Sequence, residues 1–207
     1  MVNKSKIQKG IELFFLVFTL VFSSFSLQAQ KQLDDNFKKN ADKYYGMNYQ
    51  VPRDYHGIAV ESFYLPDEEH LQSAIQHCIK YEKHNIVVAF ALVINKRDDS
   101  PRGKRMREVF GNPDLINLGS IANQIDSTLS KMKYLDTIQL KKVNANRGVI
   151  YNTKIINKYM GIYGRCKKIE LYKDNMGRVE ILFFYKKGDD ALVDKEIEKT
   201  WGMLKFK

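Results

Sequence analysis

The residues able to do chemistry in this chain are few. His70, His77 and His84 recur every seven positions, with Cys78 beside the middle one, and together they form the one cluster of soft ligands. Zinc needs four nitrogen or sulfur ligands converging at about 2.3 Å. Spacing of seven shares a face on a helix, but residues from about 76 to 82 read as a strand, which takes His84 off that face. No metal site and no cofactor is expected. Cys166 stands among Arg165, Lys167 and Lys168, cations that would favour its thiolate if it were exposed. A nucleophile also needs a positioned base, and no histidine lies near Cys166 in sequence, so no catalytic residue is assigned there.

Asp67, Glu68 and Glu69 form an acidic step. Paired carboxylates can serve acid–base chemistry or hold calcium, but adjacent acids on a polar segment read as a solvated loop. A hydrolase acting on envelope material would use His77 or His84 with Asp67 or Glu69; this is the competing functional reading. The chain contains no Gly-rich phosphate loop, no serine on a nucleophile elbow and no His-Glu-x-x-His pair, which sets aside the commonest nucleotide and hydrolase chemistries. Tyr159, Tyr163, Tyr172 and Tyr185 either line a carbohydrate- or peptide-binding surface or pack a sheet. Basic side chains concentrate at Arg102, Lys104, Arg105 and Arg107.

The elements that position these residues begin with a polar stretch, 30–43, which lacks a sustained apolar stripe and reads as a tether or short frayed helix. Tyr44 to Val51 alternates and meets Pro52, as a strand entering a turn does. Ile86 to Ile94 is apolar on both faces and predicts a central covered strand. Residues 95–114 read as a long irregular loop carrying the basic cluster. Leu118, Ile121, Ala122, Ile125, Leu129 and Met132 recur at helical spacing, with Asp114 or Asn117 as a cap.

Ile138–Val143 and Gly148–Tyr151 read as short strands. Lys168–Tyr172 and Arg178–Tyr185 pair as a hairpin across Asp174 to Gly177. Asp189 or Asp190 caps a last helix with Val193, Ile197, Trp201 and Leu204 on one face. This order predicts an α+β fold, a mainly antiparallel sheet with packed helices including a C-terminal one.

The N-terminus carries Lys4, Lys6 and Lys9, an apolar run from Leu13 to Phe22, and then small residues up to Ala29. That is the order of a secretory signal, and a run of ten residues, interrupted only by Thr19, falls short of the roughly 20 that span a bilayer. The expected organisation is a signal peptide over 1–29, a tether over 30–43 and one domain over 44–207, with no transmembrane span after cleavage. The Gln28-Ala29-Gln30 junction resembles signal-peptide ends of exported Bacteroidetes proteins, which implies a periplasmic or extracellular setting. A sheet followed by a C-terminal helix and Phe206 resembles the sandwich domains that include PsbP and Mog1, which implies their fold and no particular activity.

The whole chain has 34 Lys and Arg against 24 Asp and Glu, or +10; without residues 1–29 it keeps 31 against 23, or +8. In an exported protein such charge points to an anionic envelope component or a partner protein, not to nucleic acid. An oxidising compartment leaves Cys78 and Cys166 either bridged or as two free buried thiols; a bridge would stabilise by about 4 kcal/mol in the chain-entropy model. The expected function is a noncatalytic binding or accessory domain whose contact residues are Arg102, Lys104, Arg105 and Arg107.

Overall fold

The computed structural model describes residues 28–60, 63–64, 72–73, 75–81, 83–94, 100–110, 116, 118–129, 131–155 and 157–207. His70, Asp67, Glu68, Glu69, Asp114, Asn117 and the expected signal segment up to residue 27 lie outside them. Among the described residues no helix is long and apolar enough to cross a membrane.

Alternating apolar residues on β-branched and aromatic runs build a seven-stranded antiparallel sheet. Its strands are β2 (Tyr55–Ile58), β5 (His77–Tyr81), β6 (Val87–Ile94), β7 (Lys133–Tyr134), β8 (Arg147–Thr153), β9 (Arg165–Lys173) and β10 (Gly177–Tyr185), in the order β2-β5-β6-β10-β9-β8-β7. Two short pairs accompany it: β1 (Met47–Tyr49) with β11 (Leu204–Phe206), and β3 (Phe63–Tyr64) with β4 (Gln72–Ser73). The helices are α1 over 28–45, α2 (Pro101–Phe110), α3 (Leu118–Gln124), α4 (Thr137–Val143) and α5 (Asp190–Thr200). The fold is α+β, as expected, and β6 is central and buried between β5 and β10.

One sheet face carries Ile79, Val88, Phe90, Ile169, Leu171, Ile181 and Phe183, and packs against α1, α5 and the β1–β11 pair. The β9–β10 hairpin has the expected arms, with Glu170 opposite Glu180 and Tyr172 opposite Arg178. That register decides the chemistry of the other face.

Several local expectations are corrected. Residues 30–43 are no tether: α1 buries Phe37 and Ala41 against the sheet. Its apolar positions are too few to mark a stripe, but Phe37 stacks on the His77 ring at 4.5 Å between centroids and meets Tyr49 edge-on at 4.8 Å. Within 95–114 the chain forms α2, because Pro101 sits at the first helical position, where its missing N–H costs nothing. Residues 95–99 and 111–115 lie outside the described part.

α3 stops at Gln124 instead of running to Met132. Ile125 bridges to Thr153, and the Asp126 carboxylate accepts from the Thr128 amide at 3.2 Å, closing a turn. The expected strand at 138–143 is α4: Asp136 caps it, accepting from the Gln139 amide at 2.8 Å, while Gln139 accepts from the Asp136 amide at 3.0 Å. Asn144 ends it in a left-handed conformation, φ 51°. α5 also ends earlier than expected, at Thr200, and Leu204 turns into β11.

If α1 is part of the domain, Phe37→Ala should cost about 3–5 kcal/mol, the usual range for deleting a buried aromatic ring. Urea denaturation measures it. A change under about 0.5 kcal/mol, as for an exposed site, would return 30–43 to a tether.

Candidate functional site

The second face of the sheet is polar at its centre. Alternation places Lys168, Glu170 and Tyr172 of β9 on this face beside Arg178 and Glu180 of β10. Lys168 Nζ lies 3.2 Å from Glu170 Oε1 and 2.9 Å from Glu180 Oε2, and donates to Gln124 Oε1 of α3 at 3.0 Å. Arg178 Nη2 lies 2.9 Å from Glu180 Oε1. The Tyr151 hydroxyl donates to Glu170 Oε1 at 2.5 Å, and the Tyr172 hydroxyl to Glu170 Oε2. Lys168, Glu170 and Glu180 are all buried.

Burial disfavours the charged form of each group, and the partners reverse that cost. Burial pulls the Lys168 pKa down, but Glu180 and Glu170 together hold it above the ordinary lysine value. Burial likewise pushes Glu170 up, and Lys168 with the two tyrosine hydroxyls brings it below the usual carboxylate range. Burial and then the Glu170 charge raise both Tyr151 and Tyr172, so neither phenol ionises near neutral pH. Two cations and two carboxylates leave no uncompensated base or acid. The network fixes the sheet and α3; it has the chemistry of a scaffold.

Two apolar clusters flank it on the same face. Ile121 of α3 packs with Val149 and Tyr151. On the other side Tyr159 and Tyr163 cover Cys78, Val87, Ala89, Cys166, Leu182 and Phe184, with Tyr159 stacked on Phe184 at 3.9 Å. Tyr159, Tyr163, Tyr172 and Tyr185 are all buried, so they pack the sheet and form no exposed platform.

His77 faces the opposite side of the sheet from Cys78, its neighbour on β5, and the two cannot ligate one ion. Its Nε2 lies 2.9 Å from Asp34 Oδ1, and its ring stacks on Phe37 at 4.5 Å and lies 6.0 Å from Phe90. Burial lowers the His77 pKa against the opposing pull of Asp34. His84 is exposed in the β5–β6 turn, tilted against Tyr81 at 5.3 Å. The two histidines stand at opposite ends of β5. Among the described residues no three His, Cys, Asp or Glu side chains gather closely enough to hold a metal ion.

The chain matches no family model and no curated protein.

The cysteines do not form a bridge. Cys78 and Cys166 are both buried free thiols, on β5 and β9, which β6 and β10 separate. Three strand spacings come to about 14 Å, twice the largest Cα separation a disulfide tolerates. Burial also pushes the Cys166 thiol far above its ordinary pKa, despite the lowering pull of Lys168. The basic neighbours that suggested an activated thiolate point elsewhere: Lys167 pairs with Asp194 and Arg165 with Asp126.

Of the expected contact residues, Arg102, Lys104 and Arg105 are exposed on α2, and Arg107 lies in the same helix. Sequence reasoning missed the buried network altogether. Its signal was present as Lys168, Glu170 and Tyr172 at alternate positions opposite Arg178 and Glu180, but such alternation also describes a solvated face.

Two outcomes follow. Lys168→Met removes the cation that two buried carboxylates share and should cost about 3–5 kcal/mol at pH 7. In the wild type, Glu170 has a folded pKa below its unfolded one, so its contribution is complete above about pH 4.3 and is lost as pH falls through the folded value. In Lys168→Met the Glu170 pKa rises, and denaturation curves between neutral and acidic pH should show a shallower acid loss. Separately, native protein should resist a thiol reagent, and unfolded protein should take up two labels without prior reduction, read by mass.

Proposed function

We propose that this chain is an exported, noncatalytic binding or accessory domain, and that α2 is its contact with an anionic cell-envelope component or an acidic partner protein. The observation that supports the reading is a separation of charge. The buried ionic groups on the sheet compensate one another, whereas Arg102, Lys104 and Arg105 project from α2 into solvent. None of the three has a carboxylate partner among the described residues, and cations so held lower their energy by meeting an anionic surface, an attraction that weakens as salt screens it.

Export rests on the N-terminal order of basic, apolar and small residues ending at Ala29. It directs the basic charge toward lipid headgroups, acidic polysaccharide or acidic proteins. His77, one of the two histidines the hydrolase reading would use, is stacked on Phe37 and held by Asp34 in the core.

Changing Arg102, Lys104, Arg105 and Arg107 together to Gln should release the protein from the envelope fraction at a lower salt concentration than the wild type, with the melting temperature unchanged. Fractionation at stepped ionic strength measures it. Identical release profiles would remove α2 as the contact.

A further inference from the structure

The central strand β6 is paired along its whole length on one side and along half of it on the other. β10 pairs with it from Val87 to Ile94, whereas β5 pairs with it only from Val87 to Phe90. The β5 chain leaves at a bulge: Gln76 and His77 both oppose Phe90, and the Gln76 amide donates to the Phe90 carbonyl at 2.9 Å. Beyond it the β2–β5 hairpin keeps its own register, since Ile58 faces Cys78 and, five positions along each arm, Phe63 faces Ser73. That outer part, β3 with β4, pairs with itself and not with the seven-stranded sheet. Among the described residues no strand pairs with Ala91–Ile94 on this side.

A side chain fills the next rung of the ladder. The Leu92 amide donates to Gln76 Oε1 at 2.6 Å, and Gln76 Nε2 donates to the Leu92 carbonyl at 2.9 Å and to the Tyr45 hydroxyl at 3.2 Å. One carboxamide thereby supplies the donor and the acceptor that a residue of an antiparallel strand supplies from its backbone. Gln76 is exposed, so this rung lies at the surface, held by a side chain that gives up rotamer freedom to stay there. Alternation turns the N–H and C=O of Ile94 to the same side as those of Leu92. Val93, between them, lies beside Arg178 on the α3 face and is 43% exposed.

We infer that this half of the β6 edge is a strand-addition site, which takes an extended peptide segment of a partner protein antiparallel to Leu92–Ile94 in place of the Gln76 carboxamide. The group that stands in for the occupant names its chemistry, because a carboxamide offers what a peptide main chain offers. Main-chain hydrogen bonds supply the affinity in this mode of recognition, and side chains at alternate positions supply the selectivity. The incoming residue beside Val93 gains by being apolar, since it covers a half-exposed β-branched side chain. Displacing Gln76 is a small rearrangement: its amide swings into water, and the hydrogen bonds at Leu92 are exchanged one for one. Folded proteins block an open strand edge, and here the block is one movable side chain. The site uses main-chain groups of β6 and does not rest on the reading of α2.

The test uses the chain without residues 1–29 and a fluorescent peptide of alternating Thr and Val with a terminal Lys, its binding followed by anisotropy. The wild type is expected to bind it, and Gln76→Ala, which vacates the rung, to bind it about tenfold more tightly, the worth of two competing hydrogen bonds. With Val beside Val93, the Thr amides face β6. Peptide N-methylated at Thr should therefore lose binding, and peptide N-methylated at Val should keep it. Ile94→Pro removes one edge N–H while sparing the bonds to β10 and should weaken binding about fivefold. The methylated peptides are read on the wild type, so that arm does not depend on a variant folding. The inference is overturned if Gln76→Ala binds no peptide or binds it less tightly than the wild type, if methylation at Thr and at Val has the same effect, or if Ile94→Pro binds as the wild type does.

Discussion

Glu170 and Glu180 stand directly opposite one another on paired strands, an arrangement that by itself pushes the strands apart. Lys168 settles the conflict, since its ammonium lies within 3.2 Å of one carboxylate and 2.9 Å of the other. Much of the surrounding structure answers to that single buried cation. Gln124 must reach it, which brings the end of α3 down onto the sheet. Tyr151 and Tyr172 must donate to Glu170, which ties β8 and β9 together through side chains as well as through the backbone ladder. Buried ion pairs return little net stability compared with apolar packing, so the network is better understood as fixing register. A slip of one residue between β9 and β10 would part Lys168 and Glu170 of β9 from Arg178 and Glu180 of β10 and turn one of these pairs toward the apolar face.

The other face of the sheet is governed by a different rule. It is apolar throughout its centre, and it is closed from one end by α1, whose Asp34 accepts from the Gly57 amide of the edge strand β2 at 3.2 Å. Gly57 suits this close approach, since a Cβ would come to 3.1 Å from Asp34 Oδ1 and from the Gln30 carbonyl oxygen and α1 would have to give slightly. α1 thus covers a strand edge that would otherwise expose unpaired amides. His77 belongs to this closure. Stacked on Phe37 and bonded to Asp34, it is a fastening between helix and sheet.

Much of this was legible in the sequence, and the reasons for the exceptions are physical. β6 was legible because nine consecutive apolar residues have only one comfortable place in a sheet. The β9–β10 hairpin was legible because two alternating arms flank a turn-rich joint. α4 was misread as a strand because Ile138, Leu140 and Val143 nearly alternate, although Asp136 and Gln139 spell a capping box. α2 was misread as a loop because Pro101 and Gly103 are loop residues in most contexts. α1 was missed because two buried residues, Phe37 and Ala41, hold it. The polar network was hidden by a subtler ambiguity: alternation reports that a strand has two faces, but it does not report whether the second is wet. Only α3 and the Tyr159–Tyr163 turn, which arrive from elsewhere in the chain, decide that.

The same ambiguity explains why the residues with the most suggestive chemistry are not the ones left available for contact. Cys166 beside basic neighbours, the tyrosines of β9 and β10, and His77 all carry reactive or recognising groups, and the fold turns each of them inward. Once buried, such groups must be compensated by partners within the domain, and compensation removes the capacity to act on anything outside. Among the described residues, charge that is not compensated is found at the surface: on α2 at Arg102, Lys104 and Arg105, and at Lys131, Lys133, Lys141 and Lys142 around β7 and α4. The chain's net charge of +10 is therefore not spread evenly through its structure. A neutral interior forces the excess outward, where it is open to an anionic surface.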